Sequence, residues 1–172
     1  VVAEDKKILR PLIVAVALTL PFFSCSSRKP NIDQWQDHGT IRLGSQGKKL
    51  GFMKMSSEID RLMATPYKWG GSTPEGLDCS GLVCLVYQKS FGVKLPGSSE
   101  KLYRIGRPMD KSDLSYGDLV FFATPGFGVS HVGIYLDSGE FVHVSKSRGT
   151  IISDLEDDYY RKRYRGGRRL VQ

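Results

Sequence analysis

Cys79, His131 and His143 are the residues of this chain whose types and separation could do chemistry together. A thiol attacks only as its thiolate. One cysteine with two sequence-distant histidines fits thiol chemistry, in which one imidazole takes the thiol proton and a further polar group orients that imidazole. Cys79 follows Asp78 at the start of an apolar run, where a helix would begin. Unpaired N–H groups at a helix start carry partial positive charge, which lowers a thiol pKa and can hold an oxyanion. Asp78 opposes this, because a nearby carboxylate disfavours thiolate. The bland alternative is a small core cysteine, and it is the expected reading of Cys84, five residues further along the same apolar run.

These residues need elements to hold them. Asp78 can cap a helix that Gly92 stops, and its apolar residues surround the axis, so it is expected to be buried. A preceding helix is expected from Ser56 or Ser57, with Ile59, Leu62 and Met63 at i, i+3 and i+4, ending at Pro66. A glycine-rich loop from Gly70 to Gly76 joins the two. Strand-length apolar runs follow at 119–122, 129–136 and 141–144, with further strands at Ile151-Ile152 and near Leu170-Val171. Helices first and antiparallel strands later give an α+β domain. His131 and His143 share a face only if the intervening loop has an odd number of residues. Asp137-Ser138-Gly139 fits, with Gly139 in the left-handed position. Gly133 then opposes His143, and the two histidines become diagonal neighbours with room between their rings.

The net charge of +7 and pI near 9.4 favour a polyanionic partner without choosing among nucleic acid, an anionic membrane or a carboxylate-rich wall. Cys25, Cys79 and Cys84 form no disulfide framework and no C-x-x-C pair, and the histidines form no HExxH pattern, so no metal site is expected. His38 reads as a solvated linker histidine. Lys6, Lys7 and Arg10, a short apolar stretch to Phe23, and Ser24 before Cys25 read as a secretory signal, too short to span a bilayer. Phe22-Phe23-Ser24-Cys25 resembles a relaxed lipobox, which implies lipid on Cys25. The arginines and lysine between Arg161 and Arg169 read as solvated strand faces attracted to anionic wall or lipid, and export removes nucleic acid as a partner.

Pro66-Tyr67-Lys68-Trp69-Gly70-Gly71, then Gly76-Leu77-Asp78-Cys79-Ser80-Gly81-Leu82-Val83, resembles the NlpC family of cell-wall cysteine peptidases. Gly92-Val93-Lys94-Leu95-Pro96, Gly117-Asp118-Leu119-Val120-Phe121-Phe122, His131-Val132-Gly133-Ile134-Tyr135-Leu136 and Phe141-Val142-His143 continue the order. The resemblance implies a papain-like α+β fold, with N-terminal helices packed on an antiparallel sheet. It implies Cys79 as nucleophile, His131 as base and His143 as orienter, with no cofactor. It also implies that Tyr67 borders the oxyanion and that Asp78 and Ser80 contact a substrate amine. Gly97 departs from the arginine that often follows Leu-Pro. The expected layout is a lipoprotein signal peptide over 1–24, a lipidated cysteine and linker over 25–53, and the peptidase domain over 54–172. The expected place is the periplasmic side of a bacterial envelope, at the outer membrane. The expected reaction cuts the γ-D-glutamyl–diaminopimelate bond of peptidoglycan stems. The alternatives are the D-alanyl–diaminopimelate cross-link and a non-catalytic wall-binding lipoprotein.

Overall fold

The structure, a computed structural model, describes residues 39–124 and 128–172. Cys25 and His38, with the expected signal segment, lie outside these residues. The elements run α1 (Ser45–Leu62), β1 (Ser72–Thr73), β2 (Gly76–Leu77), α2 (Cys79–Phe91), α3 (Ser99–Tyr103), β3 (Arg107–Met109), β4 (Leu119–Ala123), β5 (Val129–Tyr135), β6 (Glu140–Ser145), β7 (Gly149–Asp154), α4 (Asp158–Arg161) and β8 (Tyr164–Arg169). β1 and β2 form a small hairpin, and the other strands form one antiparallel sheet in the order β3-β8-β4-β5-β6-β7. This is the expected α+β, papain-like arrangement.

α1 begins eleven residues before the Ser56 expected to cap it, so part of the segment assigned to the linker is helix. Gly44 occupies the cap position with no side-chain cap, which removes the usual start signal. Gly51 reads as a helix breaker but is a contact surface: a Cβ there would lie 2.1 Å from the Phe91 ring. Gly51, Met55, Ile59 and Leu62 form the buried stripe of α1, facing α2. Residues spaced four, four and three apart recur on one helix face.

The sheet's alternation sorts its side chains. Leu119, Phe121, Val132, Ile134, Val142 and Val144 join the main core with Leu82, Val83 and Val86 of α2. Val120, Phe122 and Phe141 point the other way, into a smaller cluster with Leu155. Each fully buried side chain of this kind contributes on the order of 1.5–3 kcal/mol. The closing strand lies at Tyr164–Arg169 and not at Leu170-Val171; Val171 instead makes a parallel bridge with Ile41.

The tail's basic residues have partners, and Arg163, Arg168 and Arg169 are partly buried where solvation was expected. Arg161 pairs with Asp158, and Arg163 and Arg168 lie over the rings of Tyr159 and Tyr103. Arg169 donates to both carboxylate oxygens of Asp118, at 2.8 and 2.6 Å, and Asp118 is 2% exposed.

Candidate active site

Asp78 sets the start of α2. Its Oδ1 accepts from the Gly81 backbone N–H at 2.7 Å, the capping bond expected of it. Its Oδ2 accepts from the Gly70 N–H at 3.0 Å, tying the loop that carries Tyr67 to the same helix end. Gly81 allows the close approach, since a Cβ there would lie 1.9 Å from the Gly71 carbonyl oxygen. Ser80 is buried, with its hydroxyl 2.9 Å from Asp78 Oδ1 and 3.3 Å from the Gly97 carbonyl. In the structure Asp78 and Ser80 thus build the helix end and the walls beside it. Tyr67 bridges to Leu77. Its phenol is pushed up first by burial, then by the charges of Asp78 and Cys79.

Cys79 is the first residue of α2 and half-buried. Among its surroundings, the backbone amide of Val132 on β5 favours the thiolate. The β5–β6 ladder pairs Tyr135 with Phe141 and Ile134 with Val142, then stops. Val132 is the next position in that ladder that would bond to β6. α2 packs on both strands where they separate.

The helix start was expected to lower the thiol pKa and Asp78 to raise it; the net shift is upward. Burial is the largest cause and Asp78 adds to it, while the amides of Val132, Ser80 and Cys79 oppose. A thiolate out of water costs more than these amide dipoles return. Cys79 therefore rests as a neutral thiol.

His131 is the third residue of β5, opposite Phe122 on β4, and half-buried. His143 lies on β6 and is 2% exposed. The hairpin has the expected register: Leu136 N–H donates to the Glu140 carbonyl at 2.9 Å, and Gly139 has φ of 91°. Ser138 also has a positive φ, of 50°. A Cβ on Gly133 would lie 2.6 Å from Phe141 Cδ2, 2.8 Å from the Val142 carbonyl oxygen and 3.3 Å from His143 Cβ, so the missing side chain admits the close approach of β6. His131 Nε2 and His143 Nδ1 are 3.1 Å apart, with ring planes at 84°. That bond uses Nε2 of His131 and leaves Nδ1 as its remaining basic nitrogen. Among the described residues no hydrogen bond joins Cys79 to His131; such bonds are often loose before substrate binds.

Burial pushes His131 down to about 4, with Lys146 adding to the effect. Burial also pushes His143 down to about 3, helped by His131 and Arg148 and opposed by the Val144 carbonyl. Both rings are neutral at neutral pH. A neutral thiol beside a neutral imidazole is a general-base pair, and proton transfer then accompanies attack.

His143 has further partners that sequence reasoning missed. Its Nε2 lies 3.0 Å from Ser153 Oγ of β7 and 3.0 Å from the Tyr160 hydroxyl of α4. A serine on an alternating strand and a tyrosine in a basic tail carry no local signal of this. Cys84 also departs from expectation. It is half-buried, with its thiol 3.5 and 3.7 Å from the Pro96 and Leu95 carbonyls, and burial pushes it up to about 11. Among the described residues no group of three His, Cys, Asp or Glu could hold a metal ion.

Residues 64–169 match the NlpC/P60 family. The chain is 43% identical over 105 residues to the murein DD-endopeptidase MepS/murein LD-carboxypeptidase of Escherichia coli, a match covering 61% of this chain and 55% of that protein. It is 38% identical over 160 residues to the probable endopeptidase NlpC of the same organism, covering 92% of this chain and 97% of that protein. It is 41% identical over 115 residues to the gamma-DL-glutamyl hydrolase of Bacillus subtilis, covering 66% of this chain and 28% of that protein. A solved structure from Staphylococcus aureus, described as similar to lipoprotein of the NLP/P60 family, superposes with a TM-score of 0.66 at 28% identity. It covers 79% of this chain and 45% of that one. The match thus spans about half of the MepS relative and nearly all of the NlpC relative. With the family's motifs carried on β5, β6 and the start of α2, the chain belongs to the NlpC/P60 family.

Proposed function

We propose that the chain is a cysteine endopeptidase acting on the stem peptides of peptidoglycan. The observation that carries this reading is the 3.1 Å bond between His131 Nε2 and His143 Nδ1, beside a helix whose first residue is Cys79. His131 Nδ1 takes the thiol proton as sulfur attacks the scissile carbonyl carbon. The oxygen that becomes negative is held by amides at the α2 start and by the Tyr67 hydroxyl. The tetrahedral intermediate collapses when the imidazolium returns the proton to the leaving amine, giving a thioester. Water, deprotonated by His131, then releases the acid and restores the thiol. Asp78 and Ser80 form the wall that receives a substrate amine.

The bond cut is that between γ-D-glutamate and meso-diaminopimelate, a reading favoured by similarity to the gamma-DL-glutamyl hydrolase. Similarity to a murein DD-endopeptidase favours a second reading, the D-alanyl–diaminopimelate cross-link. Masses of the fragments released from purified wall separate the two. In the same assay a folded Cys79→Ala variant is expected to release nothing; full release by that variant would overturn Cys79 as the nucleophile, and no release by the wild type would leave a wall-binding role only. Cys25 anchors the domain to the periplasmic face of the envelope, and similarity to a lipoprotein-like structure supports this. Cys25→Ala is expected to move the protein to the soluble fraction. A wild-type chain that is exported, soluble and unmodified would refute the anchor.

A further inference from the structure

Ser153 and Tyr160 touch neither the thiol nor the expected path of a substrate, yet both meet the far nitrogen of the orienting histidine. β7 pairs with β6 so that Phe141 faces Ser153 and His143 faces Ile151. Ser153 is thereby the diagonal neighbour of His143 on the same face. Tyr160 arrives from α4, with its ring 4.9 Å from Phe141 and 5.2 Å from His143. Phe141 stacks on His143 at 5.0 Å. The Nε2 edge of His143 is thus closed by two hydroxyls, and the ring is 2% exposed, so these oxygens stand where water would otherwise be.

Proton counting gives this edge a role. An imidazole in its neutral form carries one proton, on Nδ1 or on Nε2. When His131 takes the thiol proton on Nδ1, its Nε2 keeps a proton and must donate it. The facing atom is His143 Nδ1, which can accept only as a lone pair. The single proton of His143 must then sit on Nε2 and be donated to a hydroxyl oxygen. In the opposite tautomer His143 Nδ1 donates to His131 Nε2. The proton of His131 then lies on Nδ1, facing the thiol, and no base remains there.

We propose that Ser153 and Tyr160 are positioning residues that hold His143 as its Nε2–H tautomer, and so fix Nδ1 of His131 as the base. The proposal rests on the thiol-peptidase reading above. Each hydroxyl supplies an acceptor to the same Nε2–H, so each single loss shifts the tautomer in part, and the full effect appears when both are gone.

The test uses the full chain with Ser153→Ala, Tyr160→Phe, the double variant and Ser153→Thr. Nitrogen-15 NMR of the histidine side chains at neutral pH reads the tautomer directly; His38→Gln and His143→Gln assign the signals. Wild type is expected to show His143 protonated at Nε2. The double variant is expected to populate the Nδ1–H form and to lose roughly 10- to 100-fold in kcat with KM little changed, the range of losses known for outer partners of functional imidazoles. Each single variant is expected to lose less, and Ser153→Thr to keep wild-type tautomer and rate. A double variant with an unchanged tautomer overturns the proposal, and so does one with wild-type kcat. If the double variant does not fold, the two single variants decide by the same NMR signal: no movement in either overturns it. Cys79→Ala in the same panel separates the premises. Wall cleavage by that variant defeats the thiol-peptidase reading, whereas the tautomer signal is read without any turnover.

Discussion

Gly133→Ala tests the coupling of backbone packing to the histidine pair. A Cβ at this position would lie 2.6 Å from Phe141 Cδ2, 2.8 Å from the Val142 carbonyl oxygen and 3.3 Å from His143 Cβ, where ordinary contact begins at 3.4 Å. The ring edge of Phe141 can move, but the Val142 carbonyl belongs to the strand that carries His143. Relief therefore shifts β6 and the stacked Phe141–His143 pair together. Overpacking of this kind costs about 1–3 kcal/mol, or roughly 3–12 °C in Tm for a domain of this size. A displacement of several tenths of an ångström stretches the 3.1 Å bond between the imidazoles beyond hydrogen-bond length. Misplacement on that scale costs on the order of 10- to 100-fold in rate. The expected result is a folded protein with kcat reduced in that range and KM little changed, measured by fragment release from purified wall. A variant with wild-type Tm and wild-type kcat would refute the idea that the vacancy at Gly133 sets the histidine geometry.

Stability is expected to fall as pH drops from neutrality. The unfolded histidines titrate near ~6.5, while His131 and His143 are held down to about 4 and about 3 when folded. Below ~6.5 the unfolded chain takes up protons that the folded chain refuses, so stability present above that pH is lost toward the folded values. Each ring contributes a slope of up to about 1.4 kcal/mol per pH unit; urea denaturation at pH 7 and pH 5 should show a smaller loss for His143→Gln than for wild type, and equal losses would sink the assignment. Cys84→Ser is expected to change stability by less than about 1 kcal/mol with activity intact, because the Pro96 and Leu95 carbonyls can accept from the new hydroxyl. Thermal unfolding checks it, and a loss above about 2 kcal/mol contradicts it. Asp118→Ala is expected to cost about 3 kcal/mol, since it strands the Arg169 guanidinium with only the Asp113 carbonyl and Ser115 hydroxyl. A Tm within 2 °C of wild type would show the pair to be dispensable.

The hairpin between the histidines was legible because parity alone constrains it: an odd loop and one glycine put both rings on one face. The cap at Asp78 and the stop at Gly92 were legible because each acts through atoms a few residues away. What stayed hidden depends on distant contacts. α1 was read too short because Gly51 is judged by its propensity, whereas its lack of a side chain is what admits Phe91. Arg169 and Asp118 are 51 residues apart, and neither has a local pattern that names the other. The thiol of Cys79 was expected to be acidified by its helix, a local effect, and burial against β5 outweighs it. Ser153 and Tyr160 gain their meaning only when β7 and α4 close over His143.

The divided carboxylate of Asp78 has a mechanical consequence. One oxygen caps the helix bearing Cys79, and the other grips the loop bearing Tyr67. The loop and the helix share one rivet, so the loop cannot swing away without also fraying the first turn of α2.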